Sequence, residues 1–79
     1  MKQQEYIIYV KEGCEMKTVQ MLDVLGIEHR LPFKSIEIDG IRHLALDQNG
    51  IIYASFEPES RDRILSLPYV IDITPADEG

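Results

Sequence analysis

Hydrophobic residues in this chain fall into short runs whose spacing changes along its length. Tyr6-Ile7-Ile8-Tyr9-Val10 is β-branched and aromatic without polar alternation. A run of that kind predicts a strand buried on both faces, hence a central one. Lys11-Glu12-Gly13 breaks it. From about Glu15 to Leu25, the apolar residues Met16, Val19, Met21, Leu22 and Leu25 recur at three- and four-residue spacing, which predicts an amphipathic helix with that face inward. Gly26 follows at the position that ends helices in a left-handed conformation, where a Cβ would be penalised.

The middle of the chain alternates. Ile27 to Phe33 reads as extended, with Pro32 pushing Leu31 out of helical geometry. Ile36-Glu37-Ile38, Ile41–Leu46 and Ile51–Phe56 are strand-like and are separated by Asp39-Gly40 and Asp47-Gln48-Asn49-Gly50. Asp-Gly and Asn-Gly favour hairpin turns because both central residues of a type I′ turn take positive φ. Residues 36–56 therefore read as an antiparallel meander of up to three strands. Pro58 suits the first position of a second helix, and Glu59 and Asp62 complement its N-terminal dipole. Ile64, Leu65 and Leu67 face the sheet, and Pro68 stops the helix. Tyr69-Val70-Ile71-Asp72-Ile73 is the closing strand, followed by a polar tail.

Strand, helix, meander, helix, strand is the order of an α+β fold of ferredoxin-like, split β-α-β type. The expectation is an antiparallel four- to five-stranded sheet with two helices on one face. The strands at 6–10 and 69–73 are expected side by side in the middle of that sheet. Three full middle strands would reverse the chain before the second helix. One of the segments 36–39, 41–46 and 51–56 is thus a short excursion or an edge addition, and the sequence leaves open which.

Size and charge narrow the functional classes. Seventy-nine residues form a single domain spanning 1–79, near the lower limit for stability from core burial alone. No apolar run approaches the roughly 18 residues of a membrane span, and the polar start, Met1 to Glu5, shows no signal-peptide pattern. With one cysteine, an internal disulfide is excluded and a reducing, cytoplasmic setting is expected. A net charge of −6 disfavours tracking of a nucleic-acid backbone, which needs clustered Lys and Arg; Arg30, Lys34, Arg42, Arg61 and Arg63 are dispersed.

No residue cluster specifies a reaction. Cys14 precedes the first helix, but Glu12 and Glu15 flank it, and thiol activation needs electropositive surroundings. His29 and His43 approach each other if 28–33 pairs with 41–46, yet two histidines are too few for a metal site. Carboxylates, serines and glycines form no paired acid–base site, nucleophile elbow or phosphate loop. Tyr6, Tyr9, Tyr53, Tyr69, Phe33 and Phe56 read as core and sheet-surface residues rather than a base-stacking platform. The expectation is a protein that is not an enzyme and uses no cofactor or metal.

The strand-helix bracket resembles the subtilisin-propeptide-like family of subtilase-type peptidase inhibitors. Tyr6-Ile7-Ile8-Tyr9-Val10-Lys11 is similar to that family's opening strand, and the helix ending at Gly26 falls at a similar distance. Phe33, Ile36 to Ile41 and Leu44-Ala45-Leu46 resemble its central strand pair. Ile64-x-x-Leu67-Pro68-Tyr69-Val70-Ile71-Asp72-Ile73 is similar to its closing segment. The hairpin-like piece at 47–57, Ile41 after the central glycine and the Asp77-Glu78-Gly79 ending depart from the family pattern.

This resemblance implies a non-enzymatic inhibitor or folding aid whose partner is a subtilisin-like serine protease. The outer sheet face would lie on two protease helices. The tail residues Thr74, Pro75, Ala76, Asp77, Glu78 and Gly79 would occupy the substrate cleft, and Glu57 and Glu59 would cap protease helix ends, where carboxylates are favoured. The alternative is a small structural subunit of a larger complex, for instance a phage accessory protein, that oligomerises or assembles through its sheet edge or face. A third class, a regulatory domain binding amino acids between paired units, lacks a ligand-loop signature.

Overall fold

The computed structural model describes residues 3–76. The elements run β1 (Gln4–Val10), α1 (Glu15–Leu25), β2 (Glu28–Arg30), β3 (Phe33–Ile38), β4 (Ile41–Leu46), β5 (Ile51–Phe56), a 3-10 turn (Pro58–Ser60), α2 (Arg61–Leu65) and β6 (Val70–Pro75). The fold is α+β. Four strands form one antiparallel sheet in the order β2-β5-β1-β6, and β3 and β4 pair with each other in a separate two-stranded ribbon.

The core lies against one side of the larger sheet. Alternate residues Tyr6, Ile8 and Val10 of β1 and Ile52, Ala54 and Phe56 of β5 are buried together with Ile73 of β6. The helices contribute Leu22 and Ile64 to the same cluster, with Val19, Leu65 and Leu67 packed around it. Ile8 sits opposite both Ile52 and Ile73, and the Tyr6 and Phe56 rings stack at 4.4 Å. Alternation places Ile7 and Tyr9 on the other side, where they are half-exposed. The expectation of a strand buried on both faces is therefore corrected: β1 is central, but one of its faces is uncovered.

Several other expectations are corrected. Residues 36–56 do not form a meander, since β4 does not pair with β5 and the loop at 47–50 carries the chain back to the main sheet. There, Val10 N–H donates to the Gly50 carbonyl at 2.9 Å. The excursion is the whole ribbon of β3 and β4. It adds two strands outside the main sheet and leaves chain direction unchanged at β5, so the chain enters the second helix without the reversal that three middle strands would cause. β2 pairs with β5, not with β4, so His29 and His43 lie in different sheets. β6 is adjacent to β1 as expected but forms a sheet edge rather than a middle strand.

Local signals account for the ends of the elements. Gly26 adopts φ 73° and its N–H bonds back to the last turn of α1. Asp39 and Gly40 both take positive φ, 53° and 77°, in the two-residue turn of the ribbon, as the Asp-Gly signal requires. α2 ends at Leu65, three residues before Pro68. Within α1 the inward residues are Glu15, Thr18 and Leu22, while Met16 faces solvent. Leu22 and Val19 of the expected face do meet the core, and the buried Glu15 carboxylate accepts bonds from the Gly13 and Gly50 N–H groups.

Candidate partner-binding surface

The uncovered face of the main sheet is built by strand register. One row across it is Arg30, Tyr53, Ile7 and Thr74; the next is Ile51, Tyr9 and Asp72. Its centre, Ile7, Tyr9, Ile51 and Tyr53, is half-exposed and apolar or aromatic on the two adjacent strands β1 and β5. A register shift between Tyr9 and Val10 leaves Ile71 without an opposite residue. That bulge re-aims a side chain, as bulges do: Ile71 joins Tyr9, Ile51, Asp72 and Thr74 around a shallow depression.

Charge surrounds this centre. The Arg30 guanidinium lies 4.6 Å from the centre of the Tyr53 ring and bonds the Glu5 carboxylate at 2.7 Å. Arg30 and Glu5, with Glu28, border a second shallow groove beside Tyr53. Asp72 bounds the other side. An apolar, aromatic centre with a polar rim is the make-up of a protein–protein contact surface.

The residues singled out in the sequence divide between two places. Thr74 and Pro75 belong to β6 and pair with Ile7 and Tyr6, and the Ala76 N–H donates to the Glu5 carbonyl at 2.9 Å. They continue the sheet rather than forming a detached tail. Asp77, Glu78 and Gly79 lie outside the described residues. Glu57 precedes the 3-10 turn in an extended conformation and makes no side-chain cap bond, and Glu59 is exposed in its first turn. Because Phe56 pairs with Gln4 while Ala76 bonds Glu5, this acidic segment and the chain leaving β6 stand at the same end of the sheet.

The remaining reactive residues stay apart. Cys14 is half-buried, and its carbonyl accepts both the N–H and the hydroxyl of Thr18. The His29 ring contacts the Ile27 carbonyl at 2.9 Å and Asp23 at 3.4 Å. His43 is exposed on the ribbon opposite Ile36. Among the described residues, no three His, Cys, Asp or Glu side chains are arranged to hold a metal ion, and no helix is long and apolar enough to cross a membrane.

The sequence pattern did not mark Ile7, Ile51 and Ile71 as surface residues, and it grouped Tyr9 and Tyr53 with core and sheet-surface aromatics without saying which lay outside. A signal was present: Ile7, Ile8 and Tyr9 of β1 and Ile51, Ile52 and Tyr53 of β5 are apolar or aromatic on both sides, and among the described residues two short helices are available to cover them. The chain matches no protein-family model, and comparison with curated proteins finds no significant match.

Proposed function

We propose that this chain is a non-enzymatic protein-interaction domain of ferredoxin-like fold, acting as an inhibitor or folding aid in the manner of subtilisin-propeptide-like proteins. The strand order β2-β5-β1-β6 supports that fold, with α1 and α2 as its two crossover helices and the ribbon as an insertion between its second and third sheet strands. The observation that carries the function is the uncovered face centred on Ile7, Tyr9, Ile51 and Tyr53, suited to lying on a partner's helices. Glu57 and Glu59 stand beside the outgoing end of β6, so carboxylates that favour helix N-termini and a chain end directed at a cleft would meet one partner together.

The test is inhibition of a panel of subtilisin-like proteases. The intact chain is expected to inhibit at micromolar concentration or below. Tyr9→Asp, placed outside the core, should keep the circular dichroism spectrum and weaken inhibition about 30-fold, the effect of losing a strong contact residue. Removal of residues 77–79 should weaken it as well. A panel untouched by the intact chain at micromolar concentration refutes the reading. An assembly role is the second reading, favoured by the ribbon that projects outside the main sheet.

A further inference from the structure

The two sheets of this molecule treat their edges differently. In the main sheet one edge, β2, has three residues, and very short edges do not template further strands. The other edge is β6. There the Ala76 N–H bond to the Glu5 carbonyl fixes which residues face β1. Bonded and non-bonded pairs alternate in an antiparallel ladder, so Asp72 and Thr74 bond to β1, and Ile73 and Pro75 turn their peptide groups outward. Both outward positions are blocked. The Ile73 N–H donates to the Asp72 carboxylate at 2.8 Å, and its carbonyl accepts from the Arg61 guanidinium at 3.0 Å. Pro75 has no N–H to offer.

The ribbon has no such protection. Its two-residue turn makes Ile38 and Ile41 a bonded pair, so Arg42, Leu44 and Leu46 direct their peptide groups away from β3. Among the described residues, no turn, loop or side-chain hydrogen bond reaches those groups. Isolated two-stranded ribbons are marginally stable, and this one leaves Phe33, Ile38, Ile41 and Leu44 exposed, Leu44 the most at 73%. Charge selects what completes it. Two copies of a chain carrying −6 repel each other over most approaches. Residues 33–46 carry Lys34 and Arg42 against Glu37 and Asp39 and are neutral, so two copies meet there without a like-charge penalty.

We infer that the ribbon is a self-assembly arm: two copies of this chain pair antiparallel through β4, about a two-fold axis at Leu44, and merge two ribbons into one four-stranded sheet. Outward residues must meet outward residues, which sets Leu44 against its own symmetry mate and Arg42 against Leu46. The apolar side chains on the Leu44 side then share one surface. This assembly uses a different surface from the uncovered face of the main sheet and stands or falls separately from protease inhibition.

Sedimentation of the full chain from micromolar to submillimolar concentration tests the inference. A monomer–dimer equilibrium is expected. Leu44→Pro removes the outward N–H in both copies without touching the bonds to β3 and should weaken the dimer about 30-fold, as for two lost hydrogen bonds. In a Cys14→Ser background, Leu44→Cys should oxidise to a covalent dimer, because bonded-pair Cα atoms lie about 5.5 Å apart, within disulfide range; Ile36→Cys should not. The feet of the ribbon touch, with the Asp47 N–H bonded to the Pro32 carbonyl at 2.6 Å. Replacing 33–46 by Gly-Ser should therefore leave a folded monomer. A chain that stays monomeric throughout overturns the inference. So does a dimer that survives Leu44→Pro or loss of the ribbon, or one that crosslinks equally well at both cysteines.

Discussion

Glu15 shows how one side chain organises its surroundings. Its carboxylate is buried at the start of α1, where it joins the Gly13 turn to Gly50 in the loop before β5. Its own backbone N–H holds the carboxyl below the ordinary range most strongly, followed by the Gly50 N–H; burial opposes this and the Gly13 N–H adds to it. A lowered folded-state pKa means that the group stabilises the fold above the ordinary glutamate value of about 4.3, and that this is lost as pH falls from there. Glu15→Gln should cost about 1–3 kcal/mol at neutral pH, as for a buried charged hydrogen bond that loses its charge. Urea denaturation of both proteins between about pH 6 and pH 3 should show the variant losing less stability on acidification. Parallel pH dependences would remove Glu15 as the acid-sensitive group.

At the scale of elements, turn glycines fix where strands and helices stop, and two of them separate conformational from steric cost. Gly26 and Gly50 both have positive φ, 73° and 77°. A Cβ at Gly26 would meet nothing within 4 Å, whereas at Gly50 it would lie 3.1 Å from the Val10 carbonyl oxygen. Gly26→Ala should cost about 1–2 kcal/mol, the price of left-handed geometry alone. Gly50→Ala should cost more, since the added methyl also presses on the strand contact that returns the chain to β1. Denaturation midpoints of the two variants compare them directly, and equal losses would mean that the loop moves aside. Both glycines stood out in the sequence, but their partners did not. Gly50 looked like a hairpin turn between β4 and β5, and its actual contacts, Glu15 and Val10, are distant in the chain.

Across the whole molecule, the main division is between a single core and the structure that projects from it. The Cα radius of gyration is 13.7 Å and the extents are 46 × 28 × 20 Å, against about 11.6 Å expected for a compact chain of this length. Burial is one-sided, and neighbouring residues of β1 measure it. Ile8 is fully buried between Ile52 and Ile73, while Ile7 is half-exposed. Ile8→Ala should cost about 2–5 kcal/mol, a large part of the roughly 4–12 kcal/mol available to a chain of this size. Ile7→Ala should cost less than about 1 kcal/mol. Similar losses at both positions in chemical denaturation would mean that the supposed open face is covered.

The sequence by itself determined the elements with local causes: the continuous strand at 6–10, the helix closed by Gly26, the Asp39-Gly40 turn and the pairing of the first and last strands. It also carried the α+β class, because periodicity and turn chemistry act within a few residues. Tertiary structure decided which middle segment belongs to the main sheet, since β5 gains its place through pairing with β1 and β2, far along the chain. It likewise decided which side of β1 meets the helices. Ile7 and Ile8 look equivalent in the sequence, and only the limited reach of two short helices leaves one of them at the surface.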